Sequence, residues 1–72
     1  MDMTKLLDKA YRETPLKELV DAPVAALLGV SENDAELLHK AFKIKTIGDF
    51  AKCKYVLSAQ AICSLAEADA KA

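Results

Sequence analysis

The sequence predicts an all-α fold, a compact bundle of five or six short helices, and three observations carry that expectation. Apolar residues recur at helical spacing along most of the 72 residues, and no stretch alternates with a two-residue period. Helix-start residues recur along the chain: Asp2, Thr14-Pro15, Asp21-Ala22-Pro23, Ser31 and Thr46. With 53% apolar residues and only two Gly and two Pro, the composition suits a packed core better than a solvated tail. A single domain over 1–72 is expected. Lead-in helices occupy 1–21, a core 22–53, and a helix over 55–70 packs back on that core.

Taken in order, Asp2 caps a first helix whose stripe is Met3, Leu6, Leu7, Ala10 and Tyr11, with Lys5, Asp8, Lys9 and Arg12 opposite. This stripe completes the core or docks against a partner or a second copy of the chain. Thr14 caps a second helix with Pro15 at its first position and Leu16, Leu19 and Val20 inward. Pro23–Leu28 forms a third, with Val24, Leu27 and Leu28 inward, and Gly29 stands where a left-handed residue ends it.

Ser31 then caps the best-specified helix, with Asp34 at capping-box distance. Ala35, Leu38 and Phe42 face inward, flanked by Leu37 and Ala41. Glu32, Asp34 and Glu36 suit the positive end of the helix dipole, and Lys40 and Lys43 suit the negative end. Thr46 and Asp49 repeat the capping device for a short helix over 46–53. Its Gly48 costs roughly 1 kcal/mol relative to Ala and therefore reads as a close-packing position. From Tyr55, the faces of Leu57, Ala61, Ile62, Leu65 and Ala66 line up in a last helix, whose alanine-rich tail from Glu67 is expected to fray.

Charge narrows the function. The net charge is −1, so no overall field draws the chain to nucleic acid or anionic lipid. Residues 1–39 carry −4, residues 40–54 carry +4 and residues 55–72 carry −1. The +4 comes from Lys40, Lys43, Lys45, Lys52 and Lys54 against Asp49. These lysines are read as a solvated face, as a site for an acidic protein partner, or as a nucleic-acid patch. No run of 18 apolar residues is present, so no membrane span is expected, and the first residues lack an apolar signal core. Cys53 and Cys63 are too few for a disulfide-built fold and too far apart for a Cys-x-x-Cys pair. They are expected as buried, reduced thiols in a cytoplasmic protein. His39 lacks companions at metal-ligand spacing. No nucleophile–base pair or phosphate loop is visible, so neither catalytic residues nor a cofactor or metal are expected.

The central stretch resembles the helix-hairpin-helix superfamily. The residues that carry the likeness are Leu27-Leu28-Gly29-Val30, then Ser31, then Ala35 and Leu38, then Ile44, Thr46, Ile47, Asp49, Phe50 and Ala51. The C-terminal domain of the bacterial RNA polymerase alpha subunit is similar too. The resemblance covers about residues 22–53, with Pro23–Leu28 and Glu32–Phe42 as the hairpin helices and Gly29, Val30 and Ser31 as the hairpin. It implies non-sequence-specific contact between hairpin N–H groups and a nucleic-acid backbone. This chain departs from the pattern where Ser31 replaces the second hairpin glycine and where Glu32, Asp34 and Glu36 follow it. Three carboxylates repel a phosphate. Two functions are therefore expected in this order: a non-catalytic protein-interaction module (adaptor, assembly or targeting domain, including self-association), and a weak nucleic-acid-binding domain.

Overall fold

Two non-local backbone cross-links hold the N-terminal two-thirds of the chain together in a computed structural model that describes residues 3–71. In the first, Asp8 N–H donates to the Ala26 carbonyl (2.8 Å) and Leu28 N–H to the Leu6 carbonyl (2.9 Å). In the second, Val24 N–H reaches the Lys45 carbonyl (2.9 Å), Ile47 N–H the Ala22 carbonyl (3.0 Å) and Gly48 N–H the Val20 carbonyl (2.9 Å). These pairings form isolated bridges, Leu7 with Leu27 and Pro23 with Thr46. They give backbone groups in irregular segments the partners that a helix would otherwise supply.

Around this frame, the described residues contain four α-helices, α1 (Leu16–Leu19), α2 (Glu32–Phe42), α3 (Ile47–Ala51) and α4 (Lys54–Lys71), and three single 3₁₀ turns. The fold is all-α, with no strand among the described residues. The core is small. Leu7, Leu19, Ala22 and Ala26 cluster, with Met3, Tyr11 and Ile47 packed on them, and Val24 and Ile44 are also buried.

Several expected helices are corrected. The first helix is two 3₁₀ turns, Met3–Lys5 and Lys9–Tyr11, because Leu6 to Asp8 leave helical geometry to pair with Ala26 to Leu28. Asp8, expected on the outer face, caps the second turn by accepting from Ala10 N–H at 3.2 Å. The expected Asp2 cap lies outside the described residues. Pro15, not Thr14, occupies the N-cap of α1, without a side-chain cap bond. Pro23–Leu28 is only the turn Val24–Ala26, since the cross-links on either side claim its backbone, and Leu28 is half exposed instead of inward. Arg12, also expected outside, turns back so that Nε donates to the Leu7 carbonyl (3.2 Å) and an Nη to the Thr4 carbonyl (3.4 Å).

Of the residues expected inward on α1 only Leu19 is buried, Leu16 being 72% and Val20 47% exposed, whereas the expected caps and glycine positions hold. Both capping boxes form: Ser31 Oγ accepts from Asp34 N–H at 3.0 Å, and Thr46 Oγ1 from Asp49 N–H at 3.0 Å. Gly29 adopts φ +96°, the left-handed region that favours glycine. Gly48 sits so close to α1's end that a Cβ would meet Val20 Cγ1 at 2.9 Å and the Val20 carbonyl at 3.0 Å.

The expected compact bundle is not what forms. The radius of gyration is 14.2 Å and the extents are 43 × 31 × 20 Å, where a compact chain of this length has a radius of about 11 Å. The cause is α4, which meets α3 at its first turn and then runs clear of the body. Leu57 is 50% exposed, Ile62 67% and Leu65 70%, so the face expected to pack back is bare. Cys63 is exposed with it, against the expectation of a buried thiol, while Cys53 is half-buried.

Candidate functional site

The α2–α3 connection and the start of α4 build an open groove of about 730 Å³, lined by Ala41 to Ile44, Asp49 and Lys52 to Tyr55. Its shape follows from how α2 ends. Lys43 takes φ 61°, ψ 28°, and its N–H donates to the His39 carbonyl at 2.8 Å. This left-handed stop lets the buried Ile44 turn into the core. A non-glycine residue there costs roughly 1–2 kcal/mol, so the position keeps its lysine side chain at the expense of backbone strain.

The opposite wall is set by the Thr46–Asp49 cap. The Asp49 carboxylate accepts from Lys45 N–H (3.1 Å) and Thr46 N–H (3.2 Å). Those two backbone bonds, Lys45's first, hold its carboxyl below the usual aspartate range, helped by the Thr46 hydroxyl and the Lys52 charge. An anionic Asp49 thus fixes the loop between α2 and α3.

Two aromatic rings meet across the groove. Phe42 and Tyr55 have centroids 5.6 Å apart at 53°, and Lys54 Nζ lies 5.1 Å from the Tyr55 centroid. Both rings are about half exposed. The result is an apolar floor with lysines at its margin.

Of the expected lysines, Lys43, Lys52 and Lys54 come together here. Lys40 does not. Its ammonium pairs with Glu36 at 3.1 Å one helical turn away, an exposed pair worth about 0.3–0.5 kcal/mol. Lys45 lies on a second groove with Pro23, Glu32, Glu36 and His39, where acids balance it. The hairpin residues Gly29, Val30 and Ser31 line none of the three grooves described.

At the hairpin, part of the N–H array that an anion would seek is engaged, and Val30 N–H donates to the Leu27 carbonyl at 3.1 Å. Ser31 N–H donates to Asp34 Oδ2 at 3.3 Å, and Asp34 N–H to Ser31 Oγ. A carboxylate already occupies the anion position at the start of α2. No group of three or more His, Cys, Asp or Glu side chains among the described residues could hold a metal ion.

The contribution of Phe42 and Tyr55 was missed, because helical spacing assigns Phe42 to the core. The neighbouring lysines carry no signal either way, since Lys43 and Lys45 also bracket the buried Ile44. A third, shallow groove on α2, formed by Asp34, Leu37, Leu38, Ala41 and Phe42, extends this apolar surface along the helix. No helix among the described residues is long and apolar enough to cross a membrane. No protein-family model, curated protein or solved structure matches the chain.

Proposed function

We propose that this chain is a non-catalytic protein-interaction module on a helix-hairpin-helix-like core, working in the cytoplasm as an adaptor, assembly or targeting domain. The observation that carries the reading is the groove at the α2–α3–α4 junction. Phe42 and Tyr55 supply an apolar floor, and Lys43, Lys52 and Lys54 supply a basic rim. An apolar centre with a charged margin is the general anatomy of a protein interface, with aromatic anchors contributing most of the affinity. The rim's sign selects an acidic, amphipathic segment as the occupant. The left-handed Lys43 supports the same reading, since strain is tolerated where a side chain is needed.

The second reading, weak nucleic-acid binding, draws on the same three lysines beside an exposed tyrosine, which suits a single strand with stacked bases. The Ser31 and Asp34 N–H groups, already bonded within the capping box, and the carboxylates of Glu32 and Asp34 favour the protein partner.

The test is an NMR titration at low salt with an acidic amphipathic peptide and, separately, with mixed-sequence DNA. Peptide-induced shifts at Phe42, Lys43 and Lys52 to Tyr55, abolished by Lys52→Glu with Lys54→Glu, are expected. Shifts from DNA alone, at 29–34 and 43–54, would replace the first reading with the second.

A further inference from the structure

We propose that the exposed seam of α4 is a self-association surface that pairs the chain with a second copy of itself, α4 against α4 and antiparallel. The inference rests on the interaction-module reading for its class of function and names one partner for the chain.

The first argument is the pattern of α4. Gln60, Ser64 and Glu67, at i, i+4 and i+7, form a narrow polar stripe, and most of the remaining circumference between Tyr55 and Ala70 is apolar or small. A helix apolar on most sides is built for burial, yet residues 57–70 are all exposed. Among the described residues, α3 and Phe42 of α2 meet only the start of this helix.

The second argument is area. The chain exposes 5770 Å², whereas a compact monomer of its 7.8 kDa mass exposes about 4,400 Å². The excess, about 1,400 Å², exceeds the roughly 800 Å² that each partner contributes to a stable interface. A helix of 18 residues is about 27 Å long, enough for a continuous seam.

The third argument fixes the occupant and its direction. Tyr55, Ser58, Ile62, Leu65 and Asp69 follow i, i+3, i+7, i+10 and i+14, the heptad spacing of a helix-pair seam. Lys54 lies at its N-terminal end and Asp69 at its C-terminal end. An antiparallel pair with Ile62 at the two-fold axis sets Lys54 of each copy near Asp69 of the other, whereas a parallel pair sets like charges together. The opposed helix dipoles favour the same direction. Two copies make an isologous, closed interface, and the small residues Ala59, Ala61 and Ala66 leave room for close approach.

Sedimentation equilibrium over a wide concentration range tests this on the full chain. A species of twice the 7.8 kDa chain mass is expected, and Ile62→Glu with Leu65→Glu should weaken dimerisation by at least about 100-fold, since each buried charge costs several kcal/mol. To guard against simple misfolding, a second variant carries Ser58→Cys and Ala66→Cys with Cys53→Ser and Cys63→Ser, leaving Lys54 and Asp69 in place. Mild oxidation should then link position 58 of one copy to 66 of the other. A monomer at every concentration, a dimer indifferent to the glutamates, or 58–58 and 66–66 bridges would each overturn the proposal. If a monomer still takes the acidic peptide at the Phe42–Tyr55 groove, only the pairing is lost. Because Tyr55 belongs to both surfaces, the peptide is also offered to the Ile62→Glu, Leu65→Glu monomer, and a monomer that ignores it removes the groove as a docking site while leaving the pairing intact.

Discussion

Two regions of the molecule use apolar residues in opposite ways. In the body, residues 3–51, few large side chains are fully buried, and backbone cross-links and caps hold the rest in place. In α4, the helix is long and regular, but its large side chains touch little. The body is specified by tertiary pairing with poor local regularity, and α4 by local regularity with little tertiary pairing. A short helix turn such as Val24–Ala26 persists because its ends are tied to 44–48 and 6–8. Helix α4 gains most of its order from its own i to i+4 bonds, which are marginal for an isolated helix of this length. Regular secondary structure is therefore no index of where stability resides.

The strongest way to break this contrast is a matched pair of truncations. Leu7→Ala in the body should cost about 2–5 kcal/mol, because Leu7 is 3% exposed at the centre of the core cluster. Ile62→Ala should change the stability by less than about 0.5 kcal/mol at concentrations where the chain is monomeric. Urea titrations of both, read by far-ultraviolet circular dichroism, would refute the contrast if the two losses were equal.

Next in size is Arg12→Ala, which frees the Leu7 and Thr4 carbonyls from the guanidinium and should cost about 1–2 kcal/mol. The same titration checks it, with Arg12→Lys expected to recover only part of the loss because one ammonium lacks the fork that spans both carbonyls. Gly48→Ala sets two effects against each other. Helix propensity favours Ala by about 1 kcal/mol, while contact with Val20 at 2.9–3.0 Å costs about 1–3 kcal/mol. Thermal melting should show a net loss of about 1 kcal/mol, and a stabilised variant would mean that Val20 yields easily.

The smallest effect is electrostatic. Asp49's carboxyl is held low when folded, so its contribution is present above the unfolded pKa of about 3.9 and fades as the pH falls through the lower folded value. Amide protection factors at Lys45 and Thr46, which divide out the intrinsic pH dependence of exchange, should fall in that acid window and remain flat through neutral pH. Asp49→Asn should flatten the acid response.

The legible parts of the fold were those written in local chemistry. Ser31 with Asp34 and Thr46 with Asp49 mark the starts of α2 and α3 because a cap needs only residues three apart. Apolar recurrence fixed α4 to within a residue at its start. The N-terminal third was not legible in the same way. Spacing of three and four is shared by an α-helix and by successive 3₁₀ turns, and the choice was made by Leu27 and Ala26, twenty residues away. Which faces would be bare was likewise hidden, since apolar spacing identifies a face but not its partner. At the candidate site, Lys43, Lys52 and Lys54 were foreseen as a group, but Lys40 and Lys45 joined other neighbours. Phe42 and Tyr55 went unforeseen, because their proximity depends on the left-handed turn at Lys43.

The cross-link between Val20–Val24 and Lys45–Gly48 also sets an order of events during folding. Its Gly48–Val20 bond closes a loop whose entropic cost is about 3 kcal/mol, while the Leu6–Leu28 pairing on the other side of the same segment uses residues that all precede it. Completing the body therefore requires a contact distant in sequence, which costs more loop closure than the local helix turns do. During synthesis, residues 3–44 emerge without the partner that locks them, and the lock becomes available only once Gly48 has left the ribosome. Until then the segment around Val24 is held by one side of its frame, and its apolar residues stay open to water.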